Sequence, residues 1–93
     1  MTRYQFHWWP SRSEHLATPT VSLDAASRLE GAALALRHFV QVGCDIAAPA
    51  AHIDLKDGDG STHVLLVEEV LDWLSDPRQS AFVQREGLAA LVE

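Results

Sequence analysis

Two alternating runs, His52-Ile53-Asp54-Leu55-Lys56 and Thr62-His63-Val64-Leu65-Leu66-Val67, flank Asp57-Gly58-Asp59-Gly60, and no other stretch restricts the chain as tightly. Side chains on a strand point to opposite faces in turn, and aspartate and glycine supply a reversal, so the pattern predicts a β-hairpin. With Asp57–Gly60 as the connection, Lys56 falls opposite Ser61, Asp54 opposite His63 and Ile53 opposite Val64. That register predicts Ala51, Ile53, Leu55, Val64 and Leu66 on one buried side.

The rest of the chain supplies partners for this hairpin. Residues 3–9 alternate, with Tyr4, Phe6 and Trp8 on one side and Gln5, His7 and Trp9 on the other, which predicts a first strand ended by Pro10. Residues 10–18 have turn composition, and Pro19 to Ser22 is a short extended piece that can return beside the first strand as an edge. From Leu23 the period changes to three and four: Ala25, Leu29, Ala33, Leu36 and Val40 share a stripe widened by Ala32 and Phe39. A helix over about 24–42 follows, capped by Asp24 or Ser22 and ended by Gly43 in the left-handed conformation. Cys44 to Ala50 reads as a connection. Glu68 to Leu74 reads as helix, and Asp76-Pro77 starts a last helix over 77–86 that extends toward 91 past Gly87.

A chain of 93 residues is the size of one domain. The predicted architecture is therefore a single α+β domain over 1–93, with 77–93 a helical C-terminal extension. It is a two-layer sandwich: an antiparallel sheet of three or four strands, with the long helix across one face. The other sheet face then carries a mixture of His7, Trp9, His52, Asp54, His63 and Leu65. That set is too polar for a second core and too aromatic for ordinary surface.

Thirteen acidic side chains against seven basic give a net charge of -6, and the imbalance is local. Between Asp54 and Asp76, seven carboxylates face Lys56 alone, which accounts for all -6. Such a surface repels phosphate backbones, so a nucleic-acid binder is excluded. It suits a basic partner steered from a distance, with Glu68, Glu69 and Asp72 as contact residues, or simply a solvated face. Cys44 is the single cysteine, so no internal disulfide forms and a reducing compartment fits. The polar N-terminus lacks a signal peptide's apolar stretch and no run is long enough to span a membrane, so the expected location is cytoplasmic.

The opening Arg3-Tyr4-Gln5-Phe6-His7, the alanine-rich helix after Leu23-Asp24-Ala25-Ala26, and Ile53-Asp54-Leu55-Lys56-Asp57-Gly58-Asp59-Gly60 leading into Glu69-Val70-Leu71 carry a resemblance. Over about residues 3–74 the chain resembles a family of small bacterial proteins of unknown function. Those proteins share an Arg-Tyr-Phe-Phe-His strand, a Leu-x-x-Ala-Arg helix and an Asp-x-Asp-Gly hairpin. Here Trp8-Trp9-Pro10-Ser11 replaces the family's acidic first turn, and 77–93 is an extension. The resemblance implies a fold and no catalytic residues.

Chemistry-bearing residues are few. Asp57, Asp59, Ser61 and Glu68 stand at positions 1, 3, 5 and 12 of a calcium loop, but Thr62 holds the position that needs glycine. His52, Asp54 and His63, expected on one sheet face and joined by His7 if the first strand neighbours the hairpin, are the candidate ligands of a zinc or iron ion, and a small metal-dependent enzyme would use His52, Asp54 and His63. Cys44 follows a helix C-terminus rather than an activating N-terminus. No serine sits in a glycine-flanked elbow, and no cofactor motif is present. Trp8 and Trp9 are adjacent in a strand, so one indole must leave the core, either for a partner or to lie beneath the final helix. The preferred expectation is a non-enzymatic protein-interaction or accessory module, self-associating as a homodimer or binding another protein through Trp8 or Trp9. An acidic antitoxin-like regulator that masks a basic partner is a further alternative.

Overall fold

The computed structural model describes residues 2–9, 19–44, 46 and 51–92. Pro10, the 10–18 turn and Pro49 lie outside the described residues. Strands β1 (Thr2–Trp9), β2 (Thr20–Ala25), β3 (His52–Lys56) and β4 (Thr62–Leu66) form one antiparallel sheet in the order β2-β1-β3-β4. Helix α1 (Arg28–Gln41) crosses one face. Helix α2 (Val67–Ser75) follows β4 directly, and a 3-10 turn (Pro77–Gln79), α3 (Ser80–Glu86) and α4 (Ala89–Val92) complete the chain. This is the expected α+β sandwich with a four-stranded sheet.

All helices join the same layer. Val67, Val70, Leu74, Phe82, Val83 and Leu88 share one apolar core with Leu36 and Phe39 of α1 and with Tyr4, Phe6, Trp8, Ile53 and Leu55 of the sheet. The smallest dimension is 19 Å, which suits one sheet and one helix layer about 10 Å apart and leaves no room for a third. Among the described residues, no helix covers the far side of the sheet.

Helix α1 approaches closely because its buried stripe is small: Gly31, Ala32, Ala33 and Ala35 precede Leu36 and Phe39. It starts later than its apolar period suggests. Leu23, Asp24 and Ala25 belong to β2, where Val21, Leu23 and Ala25 alternate toward the core, and Asp24 meets Arg3 of β1 at 3.2 Å. The N-cap is Ser27, whose Oγ accepts from the Glu30 N–H, rather than Ser22 or Asp24. Ala25 fits a strand face as readily as a helix stripe, and the cross-strand pair with Thr2 decides it. Gly43 ends the helix at φ 96°, as expected.

The hairpin register differs by one residue from the one expected. Lys56 pairs with Thr62, Leu55 with His63, Asp54 with Val64 and Ile53 with Leu65. The physical reason is the turn. Asp57 N–H donates to the Ser61 carbonyl and Gly60 N–H to that of Asp57, with Gly60 at φ 90°, so Gly58-Asp59-Gly60 is a three-residue loop closed by a left-handed glycine. A loop shorter by one residue exchanges the two faces of β4. Val64 and Leu66 therefore stand on the open face, while His63 and Leu65 turn toward the helices.

The C-terminal extension is helical but broken. The Asp76 carboxylate accepts from the Arg78 N–H ahead of Pro77, and Gly87 at φ 67° separates α3 from α4. No helix among the described residues is long and apolar enough to cross a membrane.

Candidate functional site

Cross-strand pairing aligns the open face in rows. One row is Trp9–His52–Leu66, and the next is Thr20–His7–Asp54–Val64. Beyond them lie Ser22–Gln5–Lys56–Thr62 and then Asp24–Arg3. One end of the face is aromatic and aliphatic, the other polar and charged.

The tryptophan pair separates as adjacent strand residues must. Trp8 enters the core against Phe39, with ring centroids 5.7 Å apart, and is buried. Trp9 goes to the open face and stays 40% exposed. Its indole is held rather than loose: Nε1 donates to Asp54 Oδ2 at 2.6 Å, and its ring lies nearly parallel to His52, 15° between planes. The His7 ring packs against the Trp9 ring with centroids 4.8 Å apart and planes tilted by 43°, and His7 Nδ1 meets Thr20 Oγ1 at 2.8 Å. Beside this cluster Val64 is 62% exposed and Leu66 36% exposed. Between His7, Asp54 and Lys56 the face dips into a depression of about 200 Å³, shallower than a usual small-molecule pocket.

The three proposed metal ligands do not converge. His52 and Asp54 lie on the open face, whereas the one-residue shift puts His63 on the opposite side. There its Nε2 is 3.1 Å from Asp57 Oδ2, which also accepts from Arg28 Nη2 at 2.9 Å. That trio ties the hairpin turn to the first turn of α1. Sequence reasoning missed it because its register sent His63 the other way. Among the described residues, no three His, Cys, Asp or Glu side chains are grouped to hold a metal ion.

The remaining candidates fall elsewhere. Glu68 and Glu69 occupy the exposed first turn of α2, where they complement the helix dipole, and Asp72 is exposed one turn on. Of the contact residues expected from sequence, Trp8 is therefore lost to the core, Trp9 lies on the open sheet face, and Glu68, Glu69 and Asp72 lie on the helical layer. The open sheet face carries two cations, Arg3 and Lys56, against two carboxylates, Asp24 and Asp54. The acidity belongs to the hairpin tip and the helical layer. Cys44 is half-buried beside the core, and burial pushes its thiol up, away from the reactive thiolate.

No family model matches the chain, and no curated protein or solved structure shows significant similarity to it.

Proposed function

We propose that the chain is a small, cytoplasmic, non-enzymatic interaction module that pairs with a second copy through its open sheet face. The observation that carries this reading is Trp9, a rigid indole fixed by Asp54 and His52 yet 40% exposed, with Val64 and Leu66 two strands away on the same face. Tryptophan anchors of this kind dominate the energy of protein contacts. Charge favours a second copy on this face. The body carries -6, but the face balances its ions, so two faces meet without mutual repulsion and Arg3 and Lys56 of one can approach Asp24 and Asp54 of the other.

Size sets the expected strength. Four strands about 4.8 Å apart and four rows about 6.8 Å apart make a patch of about 19 by 27 Å, on the order of 500 Å² per copy. That is below the roughly 800 Å² per partner of a standard interface, so the dimer is weak and concentration-dependent.

Light scattering across a concentration series tests this reading. An indole offers about 250 Å² in all. The exposed 40% of it is therefore on the order of 100 Å². At about 25 cal/mol per Å² its burial contributes about 2.5 kcal/mol per copy. Trp9→Ala should weaken dimerisation at least about 70-fold while lowering stability by only about 1 kcal/mol through the lost Asp54 bond. A wild-type chain that stays monomeric at millimolar concentration, or a Trp9→Ala chain with unchanged assembly and a sharply lower melting temperature, would overturn it.

A further inference from the structure

The hairpin register decides which backbone groups of β4 have partners. Inward groups are marked at the two ends of the ladder, where Asp57 N–H donates to the Ser61 carbonyl and Val67 N–H to that of Ala51. By alternation Ser61, His63, Leu65 and Val67 direct their groups at β3. Thr62 and Val64 then turn both N–H and C=O outward, and Leu66 its N–H. Sheet order ends at β4, and no described strand pairs with its far side.

The two sheet edges differ. β2 is guarded by Pro19 at its start and by the Asp24 charge, devices that discourage strand addition. β4, Thr62-His63-Val64-Leu65-Leu66, has no proline, lysine or carboxylate within it, and Val64 is 62% exposed. An edge without guards is a template for an added strand.

Charge selects the occupant. Exposed Asp59 stands at one end of the strand and exposed Glu68 and Glu69 at the other. The Ser61 backbone N–H donates to Asp59 Oδ1 at 2.8 Å and holds that carboxyl below its usual range. A second copy paired antiparallel about Val64 would bring Glu68 and Glu69 of each chain to Asp59 of the other, a like-charge contact at both ends. A strand carrying lysine or arginine meets opposite charge at both ends instead. We propose that the β4 edge docks an extended, basic segment of another protein as a fifth strand, a site separate from the sheet face that pairs two copies.

Backbone amide exchange by NMR, on the full chain titrated with a short peptide alternating lysine and valine, tests this proposal. The expected result is exchange slowed at least about tenfold at Thr62, Val64 and Leu66. His63 and Leu65, already bonded to β3, should keep their rates. Glu68→Lys with Glu69→Lys should weaken the peptide about tenfold, and added salt should do likewise. Val64→Pro removes an outward N–H without touching the β3–β4 ladder, so it should abolish protection with the circular dichroism unchanged. If that variant does not fold, Val64→Lys, which keeps the N–H but sets a like charge against the peptide's lysines, should weaken the peptide about tenfold. The proposal is overturned by equal binding of a glutamate–valine peptide, or by no slowing at millimolar peptide. It is likewise overturned by protection that grows with protein concentration alone, which means self-pairing, or by perturbation centred on Gln5, Trp9 and His52 instead.

Discussion

Replacing Gly31 by alanine sets two effects of opposite sign against each other. In an exposed helix, glycine to alanine stabilises by about 0.8–1.0 kcal/mol, because alanine restricts the unfolded chain and suits the helix. Gly31 is buried in α1, and a Cβ there would stand 2.9 Å from Phe6 Cζ and 3.3 Å from both Phe6 Cε2 and the Ala25 Cβ. The first distance is shorter than real Cβ contacts, so something must move. Phe6 is fully buried in the central strand β1, between Val21 of β2 and Leu55 of β3, which leaves its ring little room to turn away. Overpacking of this kind costs about 1–3 kcal/mol, so it outweighs the helix gain and Gly31→Ala should be destabilising by about 1 kcal/mol. Urea unfolding of Gly31→Ala, Phe6→Leu and the double variant checks both sign and cause. With a slope of about 1 kcal/mol/M the midpoint should fall by about 1 M in Gly31→Ala. The double variant should recover at least about 0.5 kcal/mol relative to additivity, since leucine withdraws the ring tip. A rise in the Gly31→Ala midpoint, or a strictly additive cycle, would refute the close-approach account of how α1 packs.

Two neighbouring positions report the hairpin register: Val64→Asn should change stability by no more than about 0.5 kcal/mol, whereas Leu65→Asn should cost about 2 kcal/mol or more. Thermal or urea unfolding of the pair decides, and the reverse order would restore the four-residue turn. The Asp76 carboxyl is held down to about 2 by hydrogen bonds from the Arg78 side chain first and its backbone N–H second, against an ordinary value of 3.8. Because the folded value is depressed, the stabilisation of the α3 entry is complete above the ordinary value and is lost as pH falls toward about 2. A carbon NMR titration should place the Asp76 midpoint near that lower value. A midpoint at 3.8 would mean that the cap and ion pair do not hold in solution.

Local chemistry made most elements legible. Period two in 3–9 and 52–56, the Asp76-Pro77 start and the glycines at 43 and 87 each act within a few residues, and each is where the fold uses it. The adjacency of Trp8 and Trp9 likewise required one indole on each face, whatever the topology. Long-range pairing settled the rest. Alternation says that β4 has two faces without saying which is inner, and both choices bury apolar side chains: Val64 and Leu66 in one register, Leu65 in the other. The left-handed Gly60 shortens the loop by one residue, and β3 then imposes the second choice, splitting His63 from His52 and Asp54. The apolar period assigns Ala25 to the helix stripe, and its pairing with Thr2 of β1 puts it on a strand instead. The side taken by the C-terminal helices depends on packing against α1, a contact between segments far apart in the chain, and that packing is what leaves the Trp9 face open.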